Sequence, residues 1–174
     1  AYAWGWAANC DLNVARAVST HAFADATGRM GQVAYDLGNV YRAAGFEPHN
    51  SSALFWTLQR PLADVAKWAA GKVTAEAYAR AAQAAEAALL GLASAQSARP
   101  DAHLLQQEFA LAGRLLSHAG RRGQLALGAP GISPADLAQD LDDLIADYRH
   151  LWLARSRPGG LQDSLARLEK AGQD

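Results

Sequence analysis

The side chains best suited to hold a ligand lie at the end of the strongest apolar stripe in the sequence. Trp152, Arg155 and Arg157 precede a turn at Gly159-Gly160. A guanidinium can bond a carboxylate or hydroxyl groups in a forked geometry, and an indole face can stack on a sugar ring or on an arginine. The segment is therefore compatible with a binding role. The alternative is structural: Trp152 ends the core stripe, and the arginines bond the last carbonyls of the helix.

Groups for acid–base, nucleophilic or metal chemistry form no constellation in the sequence. The five histidines lack HExxH or Cys/His spacing, so we expect structural or surface roles for them. Cys10 is the single cysteine and has no activating neighbour in the sequence. Asp140, Asp143 and Asp147 share one helix face, but that face lies away from the apolar stripe, which predicts a solvated face. We expect no catalytic residue, no metal and no cofactor.

Helices must position these side chains, because apolar residues recur at spacings of three and four throughout the chain after Asn9. We expect a first helix that is capped by Asp11 or Asn13 and runs to about Asp25, and a second over about 30–44. Short helices follow near 54–58 and 62–68, then long helices that begin at Thr74, Asp101 and Ser133, and a short last helix that carries Leu161, Leu165 and Leu168. The predicted fold class is all-α: an antiparallel helical bundle of about six to seven helices.

Three local features follow from this arrangement of helices: a close contact, a loop and an N-cap. Gly38 lies in the middle of a predicted helix, where an exposed glycine is costly, so we expect close packing there. Residues 123–131 are rich in Gly and Pro and predict a loop. Asp163 is the expected N-cap of the last helix.

The first residues break the helical pattern. Tyr2, Trp4 and Trp6 alternate with small residues, and this period of two is typical of a strand. A lone strand would leave unpaired backbone groups on both edges. Either the strand belongs to a sheet encoded upstream of Ala1, which is not a start methionine, or residues 1–9 form an extended arm across the helical core with Trp4 and Trp6 as plugs.

Length and composition limit the class of protein. The chain has 174 residues, of which 51% are hydrophobic and 19% charged, and this suits one globular domain. A net charge of −1 gives no reason to expect nucleic acid or an acidic membrane as partner. No apolar run approaches the ~20 residues that span a bilayer, and the first residues lack the pattern of a secretory signal. We therefore expect a cytoplasmic location.

Several segments, in this order, resemble the region that follows the catalytic barrel in one branch of family 20 glycoside hydrolases, the β-N-acetylhexosaminidases. The matching pieces are Trp4-Gly5-Trp6, the helix residues His21-Ala22-Phe23-Ala24-Asp25, the segment Leu37-Gly38-Asn39-Val40-Tyr41, and the late run over 151–161. In that family the barrel supplies catalysis through a neighbouring Asp-Glu pair, with the Glu as general acid and the substrate's acetamido group as nucleophile. This chain lacks that pair and that barrel.

The resemblance implies two parts: residues 1–9 as the end of the missing barrel, and residues 10–174 as a helical accessory domain. It implies that this domain supports the barrel, mediates dimerisation and is not catalytic by itself. The implied partners are the barrel, an N-acetylhexosaminide bound through the parent enzyme, and a second copy of the chain. Trp4 or Trp6 would line the wall of the N-acetylglucosamine pocket, and Trp152, Arg155 and Arg157 would reach its rim.

Two other classes of protein stay open at this point. The chain could be a stand-alone helical interaction module with no enzymatic role, in which case Trp4 and Trp6 should be shielded from quenchers. It could also be a small helical enzyme or ligand-binding bundle, which a bound metal or cofactor would indicate.

Overall fold

The computed structural model describes residues 10–172, and these form eight α-helices. The helices are α1 Val14–Phe23, α2 Arg29–Asn39, α3 Ala53–Leu58, α4 Leu62–Ala69, α5 Ala75–Leu89, α6 Ala102–Ala126, α7 Pro134–Arg155 and α8 Leu161–Ala171. Two 3-10 helices follow α2 and α5, at Val40–Ala44 and Leu92–Ser94. The prediction of an all-α chain is confirmed, with eight helices instead of six to seven. The predicted strand at residues 1–9 lies outside the described residues.

Side-chain caps fix where several helices begin. Thr74 Oγ1 accepts a hydrogen bond from Ala77 N at 3.1 Å, and Ser133 Oγ accepts one from Asp136 N at 3.2 Å. Both caps were predicted, since each side chain satisfies an amide that has no partner inside the helix. Asp163 is not the cap of α8: the N-cap is Gly160, whose φ of 82° lies in the left-handed region. The glycine allows the chain to turn into α8 three residues earlier than the predicted cap.

The core is built where α5 packs along α6 with little space between the two backbones. A Cβ on Gly120 would lie 2.8 Å from Tyr78 O, and one on Gly123 would lie 2.4 Å from the ring of Tyr78. Tyr78 is itself fully buried. The predicted loop over residues 123–131 is therefore wrong for 123–126, which belong to α6, and is confirmed only after Ala126. Helix α6 continues to Ala126 because Gly123 makes room for this ring, and the packing outweighs the low helix propensity of glycine.

The prediction for Gly38 is also wrong. Within residues 10–172, nothing lies within 4 Å of the position that a Cβ on Gly38 would take. The close approach occurs about two helical turns earlier on the same side of α2, at Gly31, where a Cβ would lie 1.9 Å from Ala15 O on α1. The sequence pattern identified a glycine-dependent contact of α2, but it assigned the contact to the wrong glycine.

Ion pairs join α6 to α7, which run in opposite directions. Arg114 pairs with Asp147, and His118 Nδ1 lies 2.7 Å from Asp140 Oδ2. The expectation of a solvated acidic face is confirmed for Asp143 and Asp147, which are exposed, and is wrong for Asp140, which is 26% exposed because it packs beside His118 of α6. Leu111, buried with Leu144 and Leu151, forms a small second core between the two helices.

Arg122 joins α6 to three other parts of the fold. Its guanidinium donates hydrogen bonds to the backbone oxygens of Thr57 in α3, Arg60 before α4 and Ala171 at the end of α8. The side chain is 4% exposed. Among the described helices, none combines the length and the apolar character needed to cross a membrane.

Candidate functional site

The candidate site is a groove between α6 and α7, which we call the α6–α7 groove. It encloses about 330 Å³. Helix α6 contributes one wall and helix α7 the other, with lining residues Glu108, Leu111, Ala112, Leu115, Tyr148, Leu151, Trp152, Arg155 and Ser156. Most of these side chains are apolar, and the charged ones lie at one end. This distribution is typical of small-molecule pockets, which combine apolar walls with a few polar groups.

Two aromatic side chains on α7 form part of the wall. The rings of Tyr148 and Trp152 have centroids 5.9 Å apart. Trp152 Nε1 donates a hydrogen bond to Arg157 O at 2.9 Å, and a Cβ on Gly160 would lie 3.6 Å from the indole ring. The indole is thus held by the turn after α7, so that its orientation in the groove is fixed.

An ion-pair network closes the polar end of the groove. Arg155 donates two hydrogen bonds to the carboxylate of Glu108, at 2.7 and 2.8 Å, and a third to Asp101 at 2.6 Å. Arg99 holds Asp101 from the other side, at 2.8 Å. The bonds from Arg99 and Arg155 lower the pKa of Asp101, and the bonds to Glu108 and Asp101 raise the pKa of Arg155. Single exposed ion pairs are weak, but a forked arrangement in a network fixes the positions of its members.

The structure brings together two of the five predicted site residues. Trp152 and Arg155 both line the α6–α7 groove. Arg157 is exposed in the turn after α7 and contributes its backbone oxygen to Trp152, not a side chain to the groove. Trp4 and Trp6 lie outside the described residues. Arg155 bonds the carboxylates of Asp101, directly before α6, and of Glu108 in α6. The structural alternative, in which Arg155 bonds carbonyls of its own helix, therefore does not describe these contacts.

Sequence reasoning missed the acidic partners of Arg155. Asp101 and Glu108 are seven residues apart, which places them two helical turns apart on one side of α6. That spacing was available in the sequence. The identity of the partner helix could not be predicted, because no sequence pattern near Asp101 or Glu108 indicates that α7 packs on this side of α6.

A second polar centre is the buried carboxylate of Asp25, at the turn between α1 and α2. Asp25 is fully buried and accepts hydrogen bonds from Thr27 N at 2.9 Å, Thr27 Oγ1 at 2.6 Å and Met30 N at 2.8 Å. Ser19 Oγ and Gln96 N donate at longer distances of 3.2 and 3.3 Å. Burial alone would raise the pKa of Asp25, but these donors favour the charged form and lower it from 3.8 to about 2. Asp25 therefore acts as a structural anion.

His118 and Asp140 form a third polar centre, inside the contact of α6 with α7. His118 is 1% exposed, and its Nε2 is buried without a hydrogen-bond partner among the described residues. Burial lowers the pKa of His118, although the hydrogen bond to Asp140 opposes this shift. The neutral imidazole then donates Nδ1–H to the carboxylate. Since Nε2 is shielded from solvent, this dyad offers no accessible base.

The arrangement of these centres supports binding and helix attachment. The α6–α7 groove is open to solvent, whereas Asp25 and His118 are enclosed. Within residues 10–172, no group of three or more His, Cys, Asp or Glu side chains could hold a metal ion. Comparison with protein-family models, curated protein sequences and solved structures gave no match to this chain.

Proposed function

We propose that this chain is a non-catalytic helical domain of a β-N-acetylhexosaminidase-like glycoside hydrolase, which supports the catalytic barrel and mediates dimerisation. The proposal starts from the sequence motifs that resemble the region after the barrel. In it, residues 1–9 are the end of the last barrel strand, and residues 10–174 form an antiparallel bundle beside the barrel. A cytoplasmic location belongs to the same proposal.

The observation that carries the proposal is the use of polar side chains inside the fold. Asp25, Arg122 and the His118–Asp140 pair are buried at helix contacts, and each bonds groups that hold helices together. The hydrogen bonds that these side chains make therefore attach helices to one another. This supports a role in which the helices position a neighbour and the neighbour performs the reaction.

Exposed apolar side chains next to the first described residues support contact with a barrel. Leu12 and Val14 are exposed where the chain enters α1, and Tyr35 is exposed on α2, which packs against α1. A preceding barrel joined through residues 1–9 would lie close to Leu12 and Val14. We propose that these side chains pack on the barrel, because contact with it would remove their apolar surface from water.

The predicted site residues have defined places in this proposal. Trp4 or Trp6 lines the wall of the sugar pocket in the barrel. Trp152, Arg155 and Arg157 lie near the rim of that pocket, in the same protomer or in the second copy of a dimer.

The first test compares this chain with a version extended by the residues encoded upstream of Ala1. We expect those residues to form alternating strands and helices that carry an Asp-Glu pair. The chain alone should show negligible turnover of 4-nitrophenyl N-acetyl-β-D-glucosaminide, and the extended protein should hydrolyse it. Robust turnover by residues 1–174 alone, or an upstream sequence without a barrel, would contradict the proposal and favour a stand-alone interaction module.

The second test asks whether the exposed side chains of Leu12 and Val14 contact the barrel. In the extended protein, the double variant Leu12→Glu/Val14→Glu should shorten the half-life of hydrolase activity on heating, because two charges would enter the interface. Leu90→Glu is the control for a charge on an exposed apolar position, since Leu90 directly follows α5 and is the most exposed large apolar side chain of residues 10–172. Equal half-lives for both variants would argue against this surface as the barrel contact.

A further inference from the structure

The polar end of the α6–α7 groove keeps hydrogen-bonding capacity after its own bonds are made. Arg155 uses Nε and one N–H of each terminal nitrogen in its bonds to Glu108 and Asp101. A guanidinium carries further N–H groups, and each carboxylate oxygen of Glu108 can accept a second hydrogen bond. The pair therefore presents donors and acceptors side by side, in a geometry that suits two adjacent hydroxyl groups.

The charges of this network cancel. Arg99 and Arg155 are balanced by Asp101 and Glu108, and all four are joined by the bonds described above. An anionic or cationic ligand would therefore gain no net attraction from this end of the groove. A neutral ligand with hydroxyl groups would bond to the network without breaking it.

The remaining walls favour a ligand with one flat apolar face. Trp152 and Tyr148 form an aromatic wall, and Leu111 and Leu115 line the opposite side on α6. The volume of about 330 Å³ lies at the lower end of the roughly 300–1,000 Å³ of small-molecule pockets. A pyranose ring whose axial positions carry only hydrogen has such a face, and its equatorial hydroxyls project from the ring edge.

We propose that the α6–α7 groove binds a β-gluco-configured pyranoside, with the apolar face of the ring on Trp152 and two neighbouring hydroxyls on Glu108 and Arg155. The site is preorganised, because Arg157 O holds the indole and three hydrogen bonds hold the guanidinium. Binding then costs little side-chain entropy. This inference goes beyond the proposed function, since it concerns binding by the helical chain itself and does not require a barrel.

Direct binding tests the inference. In ¹⁵N-labelled protein, the indole N–H signal of Trp152, assigned with Trp152→Phe, should shift on titration with methyl β-D-glucopyranoside or methyl N-acetyl-β-D-glucosaminide. Sorbitol has hydroxyls but no ring face and should cause no saturable shift. An equal response to sorbitol, or binding of octanoate without binding of either glycoside, would overturn the proposal.

Variants separate the groove from the rest of the surface. Ala112 lies exposed in the groove lining, so that Ala112→Phe should fill it and abolish the saturable shift while the helical circular dichroism is kept. Ala154→Phe adds the same ring at an exposed position of α7 outside the groove lining and should leave binding unchanged. Glu108→Gln should weaken binding about tenfold, as expected for the loss of one hydrogen bond to a charged group. Undiminished binding by Ala112→Phe would contradict the proposed site, whatever the outcome of the barrel tests.

Discussion

At the residue scale, Asp25 shows how a buried charge can be stable when no described residue forms an ion pair with it. Its carboxylate accepts bonds from the turn that it begins, from the first turn of α2 and from Gln96, which is 71 residues away in sequence. Ala98 N also donates to Ala24 O, so the same corner ties the segment after α5 to the end of α1. Replacing the carboxylate would leave several of these amides without an acceptor, which costs more than the loss of the bonds themselves.

We predict that Asp25→Asn lowers the free energy of unfolding by about 3 kcal/mol near pH 6, because hydrogen bonds to a buried charge are strong and the amide nitrogen cannot accept. Urea denaturation followed by circular dichroism measures the change. Asp142→Asn is the matched control, since Asp142 is exposed on α7. A loss below 1 kcal/mol for Asp25→Asn would show that the donors find other acceptors.

The same residue predicts a dependence of stability on pH. The pKa of Asp25 is about 2 in the folded protein and 3.8 as the ordinary value, so the unfolded chain binds the proton more tightly. The stabilisation is complete above pH ~5 and is lost as the pH falls from about 4 towards 2, and it amounts to about 2 kcal/mol at 1.36 kcal/mol per pKa unit. Between pH 5 and pH 2, wild type should lose about this much more stability than Asp25→Asn. Parallel curves for the two proteins would contradict the shift.

At the element scale, Gly38 of α2 and Gly120 of α6 have opposite roles. Gly120 allows the backbones of α5 and α6 to meet, and a Cβ there would lie 2.8 Å from Tyr78 O and 2.9 Å from Ala82 Cβ. Gly38 has no neighbour among residues 10–172 within 4 Å of that position. The same substitution should therefore change stability in opposite directions at these two helix positions.

We predict that Gly120→Ala destabilises the protein by about 2 kcal/mol, since backbone atoms cannot move aside as a side chain can. Gly38→Ala should stabilise it by about 0.5–1 kcal/mol, because alanine lowers the entropy of the unfolded chain and has the higher helix propensity. Midpoints of urea denaturation for the two variants check both signs. Stabilisation by Gly120→Ala would mean that α5 and α6 can separate without cost.

The helices themselves were accessible from the sequence, because caps and apolar spacing act over a few residues. Thr74 and Ser133 cap where expected, and two of the five predicted site residues, Trp152 and Arg155, line the groove. The partner that each helix packs against could not be predicted from the sequence. The role of Gly123 depends on the ring of Tyr78, and the position of Arg155 depends on Glu108. These contacts join residues tens of positions apart, and no local pattern specifies them.

At the scale of the whole molecule, Arg122 connects parts of the chain that are far apart in sequence. The carbonyls that it bonds lie at or just after the ends of α3 and α8, where helix oxygens lack partners inside the helix. A buried guanidinium satisfies several of them at once and meets the negative ends of the helix dipoles. This contact fixes the last helix to the centre of the fold.

We predict that Arg122→Met destabilises the protein by about 3 kcal/mol, because it leaves buried carbonyls without a donor. Arg121→Met is the matched control: Arg121 is next in sequence, is 34% exposed and lies 3.6 Å from Asp140. The control should cost less than 1 kcal/mol.

A more specific test of this role is which helix opens first when Arg122 is replaced. If Arg122 attaches α8 to the rest of the fold, its loss should open α8 before the core. In Arg122→Met, hydrogen exchange should then accelerate at the amides of Leu165 and Leu168 in α8 more than at Ala81 and Ala85 in α5. Because Arg121 bonds none of these carbonyls, Arg121→Met should leave the ratio of the two rates unchanged. Uniform acceleration across both helices would instead place Arg122 among the residues that stabilise the fold as one unit.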